Sequence, residues 1–194
     1  YAVLPTRVRS SLAPQRARRR GALVSLVSGP TSLSVPDGVE LTRIESAQEM
    51  LDAVMARAGS HHIVIKAAAV SDFAPSAVAE RKIKKTADRD TMELSLRKNP
   101  DILAALAALK PRPFIVAFAG ETDSVESNAR QKLERKGADM IVANDVSDRA
   151  IGFDSDENEV LILSKDGSSV RVARAPKFVI ANRILDAVVQ RLHG

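Results

Sequence analysis

Side chains able to do chemistry cluster in the stretch from Lys66 to Lys85. Lys66 opens it, and Ala67, Ala68, Ala69, Val70 and Ser71 follow as a row of mostly tiny side chains. Asp72 and Phe73 come next, and Lys82, Ile83, Lys84 and Lys85 lie some ten residues beyond. Small side chains let another molecule approach the backbone. A carboxylate can hold a divalent cation, and fixed ammonium groups can hold phosphate oxygens. These types at this spacing suit a metal-bound polyphosphate, although a loop of solvated lysines has the same composition. Lys132 and Lys136 are four residues apart in a helical pattern and so share one face. Their ordinary reading is a solvated face paired with Glu126 or Glu134. Asn99-Pro100-Asp101 has the chemistry of a helix start, with Asn as cap, Pro in the first turn and Asp at the positive end of the dipole. Such a start also offers free N–H groups to an anion.

The elements that must position these groups read as an alternation of strands and helices. Residues 62–65 are a short apolar run of the kind a buried parallel strand needs, and it delivers Lys66 and the alanines to its end. Residues 114–118 read as a second buried strand. It places Ala119-Gly120-Glu121-Thr122 at its carboxyl end, where open α/β sheets bind ligands. Strands are also expected over 22–28, 91–97 and 139–143. Ser46 and Glu49 form a capping box before Met50, Leu51, Val54, Met55 and Ala58, which recur at helical spacing up to Gly59. A helix is expected over 125–136, ended by Gly137. A hairpin is expected around residues 165–167, and a last helix from Pro176. This pattern predicts an α/β fold, a Rossmann-like three-layer sandwich with a mostly parallel sheet and a late β-hairpin at its edge. That hairpin is a natural edge for pairing with a second copy.

Composition narrows the function further. The chain has 194 residues, 29 Lys and Arg, and 24 Asp and Glu, for a net charge of +5. Six arginines stand in residues 1–20, which hold no acid, so without that segment the balance is −1. The basic character belongs to an Arg-rich arm over 1–20, set apart from a domain over 21–194. A nucleic-acid partner would need a basic face on the folded domain. There is no cysteine, which excludes disulfides and cysteine-bound metal. The three histidines, His61, His62 and His193, have no zinc spacing. The acidic residues of 152–158 lack the order of an EF-hand loop. No apolar run reaches membrane-spanning length, so the expectation is a soluble, cytoplasmic protein with no membrane and no nucleic-acid partner.

Several separated blocks, taken in order, resemble the phosphopantothenoylcysteine synthetase family. They are Ser28-Gly29-Pro30; Ala67 to Phe73 with Lys82 to Lys85; Lys98-Asn99-Pro100-Asp101-Ile102; Phe118 to Thr122; Ala129 to Lys132 with Lys136; and Ala143-Asn144-Asp145-Val146. The family forms the C-terminal half of a bifunctional bacterial protein of coenzyme A biosynthesis, whose N-terminal half is a flavin-dependent decarboxylase. The resemblance implies a ligase that joins 4′-phosphopantothenate to cysteine through an acyl-cytidylate, using CTP with Mg²⁺. FMN is implied only if a decarboxylase is fused upstream. It further implies Lys82 as the catalytic lysine on the triphosphate. The nucleotide site would be Lys66, Ala67, Ala68, Asp72, Lys82, Asn99, Pro100, Asp101, Ile102, Phe118, Lys132 and Lys136. Asp72 would serve the metal or the ribose, and a homodimer is expected.

The segment before Gly21 departs from that pattern. In the family a glycine-rich loop and an Ile-Ser-Asn segment hold phosphate and supply an asparagine for the second half-reaction. Here no glycine precedes Gly21 and no asparagine precedes Asn99, and Ser10-Ser11 is a faint echo. A truncated or frame-shifted reading of the segment would explain this. The alternative function is therefore a catalytically incomplete module that binds CTP or only dimerises. A nicotinamide-dependent oxidoreductase would also be α/β, but no Gly-x-Gly-x-x-Gly follows a strand.

Overall fold

The computed structural model describes residues 2–4, 12–77, 79, 81–83, 91–145 and 156–193. Ten strands and five helices follow one another as β1 (Ala2–Leu4), α1 (Leu12–Arg19), β2 (Val24–Ser28), β3 (Val39–Arg43), α2 (Ala47–Ala58), β4 (Ile63–Lys66), β5 (Phe73–Pro75) and β6 (Leu96–Lys98). Then come α3 (Ile102–Ala107), β7 (Phe114–Glu121), α4 (Val125–Lys136), β8 (Met140–Asp145), β9 (Glu157–Ser164), β10 (Ser169–Pro176) and α5 (Lys177–His193).

Eight strands form one sheet in the order β10-β9-β8-β7-β4-β1-β2-β3. The run from β8 to β3 is parallel, and β9 and β10 join it antiparallel. Within the parallel part the sequence order is 3-2-1 and then 4-7-8, so the chain reverses direction between β1 and β4. That reversal is the switch point at which doubly wound sheets open a crevice beyond their carboxyl ends. The three-layer reading and the late hairpin are observed as expected.

Alternation along β4 and β7 assigns the two faces. Val64, Ala68, Ile115, Ala117 and Ala119 pack into one core with Val54 of α2, Leu106 of α3 and Leu133 of α4. Ile65, Val116 and Phe118 pack into the other core with Ile180, Ile184 and Val188 of α5. β4 and β7 are buried on both faces, which is why they read as continuous apolar runs.

Several expectations need correction. Residues 1–20 were read as an arm apart from the fold, yet β1 pairs with both β2 and β4 in the middle of the sheet. α1 lies against α5: the Arg16 guanidinium sits 5.2 Å from the centre of the Phe178 ring, and Arg20 pairs with Asp186 at 2.7 Å. These partners lie more than 150 residues away, so the local pattern showed only unmatched charge. β3 had no expected strand, because it is a half-buried edge with little apolar content. The strand expected over 91–97 shortens to β6, which pairs with β5 in a separate two-stranded sheet. The capping box forms as expected: Ser46 Oγ accepts from Glu49 N–H, and the Glu49 carboxylate reaches back to Glu45 N–H and to Ser46.

Gly137 ends α4 in the left-handed region, at φ 63°. A Cβ there would stand 2.9 Å from the Ala107 Cβ of α3. The glycine thus sets both the end of α4 and how closely α3 approaches it. Gly137→Ala is expected to lower unfolding stability by about 1–2 kcal/mol or more, from backbone strain plus the contact. Urea denaturation of the two proteins checks this; equal midpoints would refute it.

Candidate functional site

The carboxyl ends of β4 and β7 face the start of α3 and one side of α4. Lys66, last residue of β4, points to the same face as Val64 and Ala68 by strand parity. Its ammonium donates to the Ala68 carbonyl at 2.9 Å and bridges the turn of small residues. Burial pushes this lysine below its ordinary pKa. The nearby Lys132 and Lys136 push it further down, and Asp101 and Asp72 pull it back up. The field on Lys66 thus places Asp72, Asp101, Lys132 and Lys136 in one electrostatic neighbourhood.

Asp101 is the hub of that neighbourhood. It caps α3 with one carboxylate oxygen, which accepts from Ala104 N–H at 3.2 Å. Its other oxygen accepts from Lys136 Nζ at 2.5 Å. Burial works to raise the Asp101 pKa, but the Lys136 bond and the Ala104 N–H outweigh it and hold it below the usual carboxylate range. Lys132 pairs with Glu121, last residue of β7, at 3.7 Å. The pairing of the two lysines with Glu126 and Glu134 is therefore not what forms; Glu126 instead pairs with Arg130 at 2.8 Å.

Asn99 was expected to cap the helix, and the structure gives that role to Asp101. Asn99 closes the base of an excursion. Its N–H donates to the Asp72 carbonyl at 2.8 Å, and its side-chain amide donates to the Ser71 carbonyl at 2.9 Å. The excursion runs from β5 to β6 and carries Lys82, whose side chain is exposed and makes no ion pair among the described residues. Lys84 and Lys85 lie outside the described residues, as do Ser10, Ser11, Val146 and residues 152–155.

The remaining expected site residues divide. Ala68 lies on the Lys66 face. Ala67 packs with Leu26, Val39 and Leu41, and Phe118 packs on the α5 side, so both lie on the opposite face of the sheet. Ile102 is buried in the core, and Pro100 is half-buried beside it. Glu121 was absent from the expected site, although its place at a strand's carboxyl end was legible. Ser124 was also missed. It precedes α4 at φ 43°, ψ 40°, a left-handed conformation rare outside glycine, and its side chain does not cap the helix.

A metal would find few ligands. Among the described residues no three His, Asp or Glu side chains come together. Asp72 alone fits a Mg²⁺ that brings most of its oxygen ligands from a bound polyphosphate and water. No described helix is long and apolar enough to cross a membrane.

An open doubly wound sheet, with lysines and carboxylates gathered beyond the ends of its middle strands, defines an α/β domain with a charged site beside its switch point. The chain belongs to the family described as "DNA/pantothenate metabolism flavoprotein C-terminal domain", whose model matches residues 10–192. It is 49% identical over 171 residues to the coenzyme A biosynthesis bifunctional protein CoaBC of Vibrio parahaemolyticus, covering 88% of this chain and 43% of that protein. Against the same protein of Escherichia coli K12 it is 45% identical over 177 residues, covering 90% and 43%. The chain thus spans less than half the length of these relatives. The solved C-terminal domain of a CoaBC protein superposes with a TM-score of 0.79 at 31% identity, covering 99% of this chain and 95% of that one.

The lowered pKa of Lys66 makes a signed prediction. Its folded pKa lies below the unfolded value, so the unfolded chain binds more protons in the interval between them. The burial penalty is present at neutral pH and fades as pH rises toward the unfolded value of 10.5. Lys66→Met is expected to melt about 2–4 °C above wild type at pH 7. The gap should narrow as pH is raised from 7 to 10. A gap that stays constant in paired melting curves would refute the assignment.

Proposed function

We propose that this chain is a phosphopantothenoylcysteine synthetase domain, a ligase that joins 4′-phosphopantothenate to cysteine with CTP as the activating nucleotide. The carrying observation is the gathering of Lys66, Lys132 and Lys136 with Asp101 beyond the ends of β4 and β7. Family membership and the coenzyme A role named for the curated relatives support the choice of substrates. A free carboxylate does not react with an amine at neutral pH. It must first lose its charge and gain a leaving group. Attack of the carboxylate on the α-phosphate of CTP forms the acyl-cytidylate and expels pyrophosphate. The cysteine amine then attacks the acyl carbon and releases CMP, with loss of a proton.

The first step gathers anions, so the protein's part in it is electrostatic. Lys66, Lys132 and Lys136 provide fixed positive charge for the phosphate oxygens. Lys82, carried exposed on the excursion, is assigned to the triphosphate by the family resemblance. Asp72 would hold the Mg²⁺ that accompanies CTP, and that cation would supply charge neutralisation at the phosphates. Backbone groups around Ala67, Ala68 and Asn99 to Ile102 receive the nucleoside, and Phe118 backs the strand end from the far side. FMN would belong to a decarboxylase fused upstream rather than to any of these residues. The setting is the cytoplasm, where these substrates are made.

The second copy of a homodimer has a candidate surface in the excursion. Phe73, Ile83, Met92, Leu94 and Leu96 are each more than half exposed there. The hairpin edge is less suited, because Arg171 and Arg174 of β10 are paired with Glu159 and Glu157 and leave it charged.

Pyrophosphate and CMP release from CTP, Mg²⁺ and 4′-phosphopantothenate, with and without cysteine, tests the reading. Cysteine-dependent CMP release is expected. A silent assay with CTP still raising the melting midpoint would favour the incomplete CTP-binding module. Lys82→Ala is expected to lower pyrophosphate release at least about a hundredfold, the scale of losing one electrostatic group, with an unchanged melting midpoint. Near-normal turnover in that variant would remove Lys82 from the mechanism.

A further inference from the structure

Glu121 ends β7 on the face that Ala117 and Ala119 share with α4. Its side chain is only 18% exposed, yet its contact among the described residues is a single one, Lys132 Nζ at 3.7 Å. That separation is an ion pair without a hydrogen bond. Neither Glu121 carboxylate oxygen is sealed from solvent, so water can fill the acceptor sites that no protein donor takes. Asp101 differs, with Lys136 Nζ at 2.5 Å on one oxygen and the Ala104 N–H on the other. Two lysines one turn apart on α4 are therefore held unequally. Lys136 is clamped by a carboxylate that is itself anchored to a helix start, and Lys132 is held loosely by a carboxylate with open acceptor sites.

We propose that Glu121 is a specificity-determining residue, an internal counter-anion that occupies Lys132 until a ligand polyphosphate displaces it. This rests on the reading of the lysine cluster as a polyphosphate site. A ligand oxyanion that reaches Lys132 exchanges one anion for another, and the Glu121 carboxylate stays nearby and repels it. A monovalent anion gains little from that exchange. A triphosphate gains, because beyond Lys132 it can also meet Lys66, whose ammonium is held by the Ala68 carbonyl and by no carboxylate among the described residues. Glu121 thus weakens anion binding in general and favours the long polyanion over orthophosphate.

The test is calorimetric titration of the purified chain with sodium tripolyphosphate and, separately, with CTP, for wild type, Glu121→Gln and Glu126→Gln. Glu126 is an exposed carboxylate of α4, the helix that carries Lys132; it is paired with Arg130 and controls for net charge. Glu121→Gln is expected to bind tripolyphosphate about fivefold tighter or more, the scale of removing one partly screened like charge. Glu126→Gln should bind as wild type does. Unchanged or weaker binding by Glu121→Gln overturns the proposal. So does an equal gain in Glu126→Gln. Glu121→Ala serves in the same titration if the Gln variant does not fold, and tighter binding is again required. The nucleotide reading has its own outcome: a wild type that binds tripolyphosphate and ignores CTP overturns that reading and leaves the role of Glu121 to be decided by the first comparison. A wild type that binds neither overturns both.

Discussion

Three ammonium groups stand near one another where water is partly excluded, and the local structure depends on how that charge is balanced. Lys66 is pushed toward its neutral form by burial and by its two lysine neighbours. Asp101 opposes this most among the nearby acids, and it does so while tying two helices together. One oxygen satisfies an otherwise orphan N–H of α3, and the other fixes the last turn of α4. A carboxylate with both oxygens occupied in this way is held in place at little cost, because each bond it makes was owed to some other group. The short helix α3, six residues long, would be marginal alone, and this bridge plus its buried Ile102, Leu103 and Leu106 gives it a fixed position.

The sheet supplies the frame for that cluster. Its parallel part reverses order between β1 and β4, so helices leave on opposite faces and a crevice opens beyond the carboxyl ends. The period of two then sorts the residues at the ends. Lys66 and Glu121 fall on the face of α3 and α4, and Ala67 and Phe118 fall on the face of α5. A block of motif residues read along the chain does not carry this division. It appears only once each strand's register is known, because a step of one residue changes the face. The same topology hosts many chemistries, and the absence of a glycine fingerprint after a strand leaves the lysines, rather than a helix start, as the main source of positive charge here.

The readable parts of the chain were those with local causes. β4 and β7 are buried on both faces and show as short apolar runs. α4 ends at Gly137 because the left-handed residue closing it favours glycine. The hairpin of β9 and β10 carries its turn in Lys165-Asp166-Gly167, and Gly167 has φ 88°. What could not be read has causes at long range. The arginines of α1 look like free charge until Phe178, Asn182 and Asp186 of α5 are placed beside them. The capping role falls to Asp101 because α3 starts at Ile102, while Asn99 donates its side-chain amide to the Ser71 carbonyl, 28 residues back. The partners of Lys132 and Lys136 are a strand end and a helix cap, not their neighbours on α4, so i,i+4 arithmetic pointed to the wrong acids.

The excursion between β5 and β6 sets apart one kind of residue from another. Its base is fixed by three features: the β5–β6 pairing and both hydrogen bonds from Asn99. β5, β6 and the residues beside them expose large apolar side chains that the domain's own cores do not cover. A solvated loop would not keep Phe73, Met92, Leu94 and Leu96 in water, since each gains roughly 25 cal/mol per Å² of apolar surface on burial. Phe73 and Leu96 thus take part in the β5–β6 pairing through their backbone while their side chains stay in solvent. Apolar side chains gathered in this way on one segment are the kind of surface that marks an interaction site. Lys82 lies exposed on that segment, whereas Lys66, Lys132 and Lys136 are each held by a contact inside the domain.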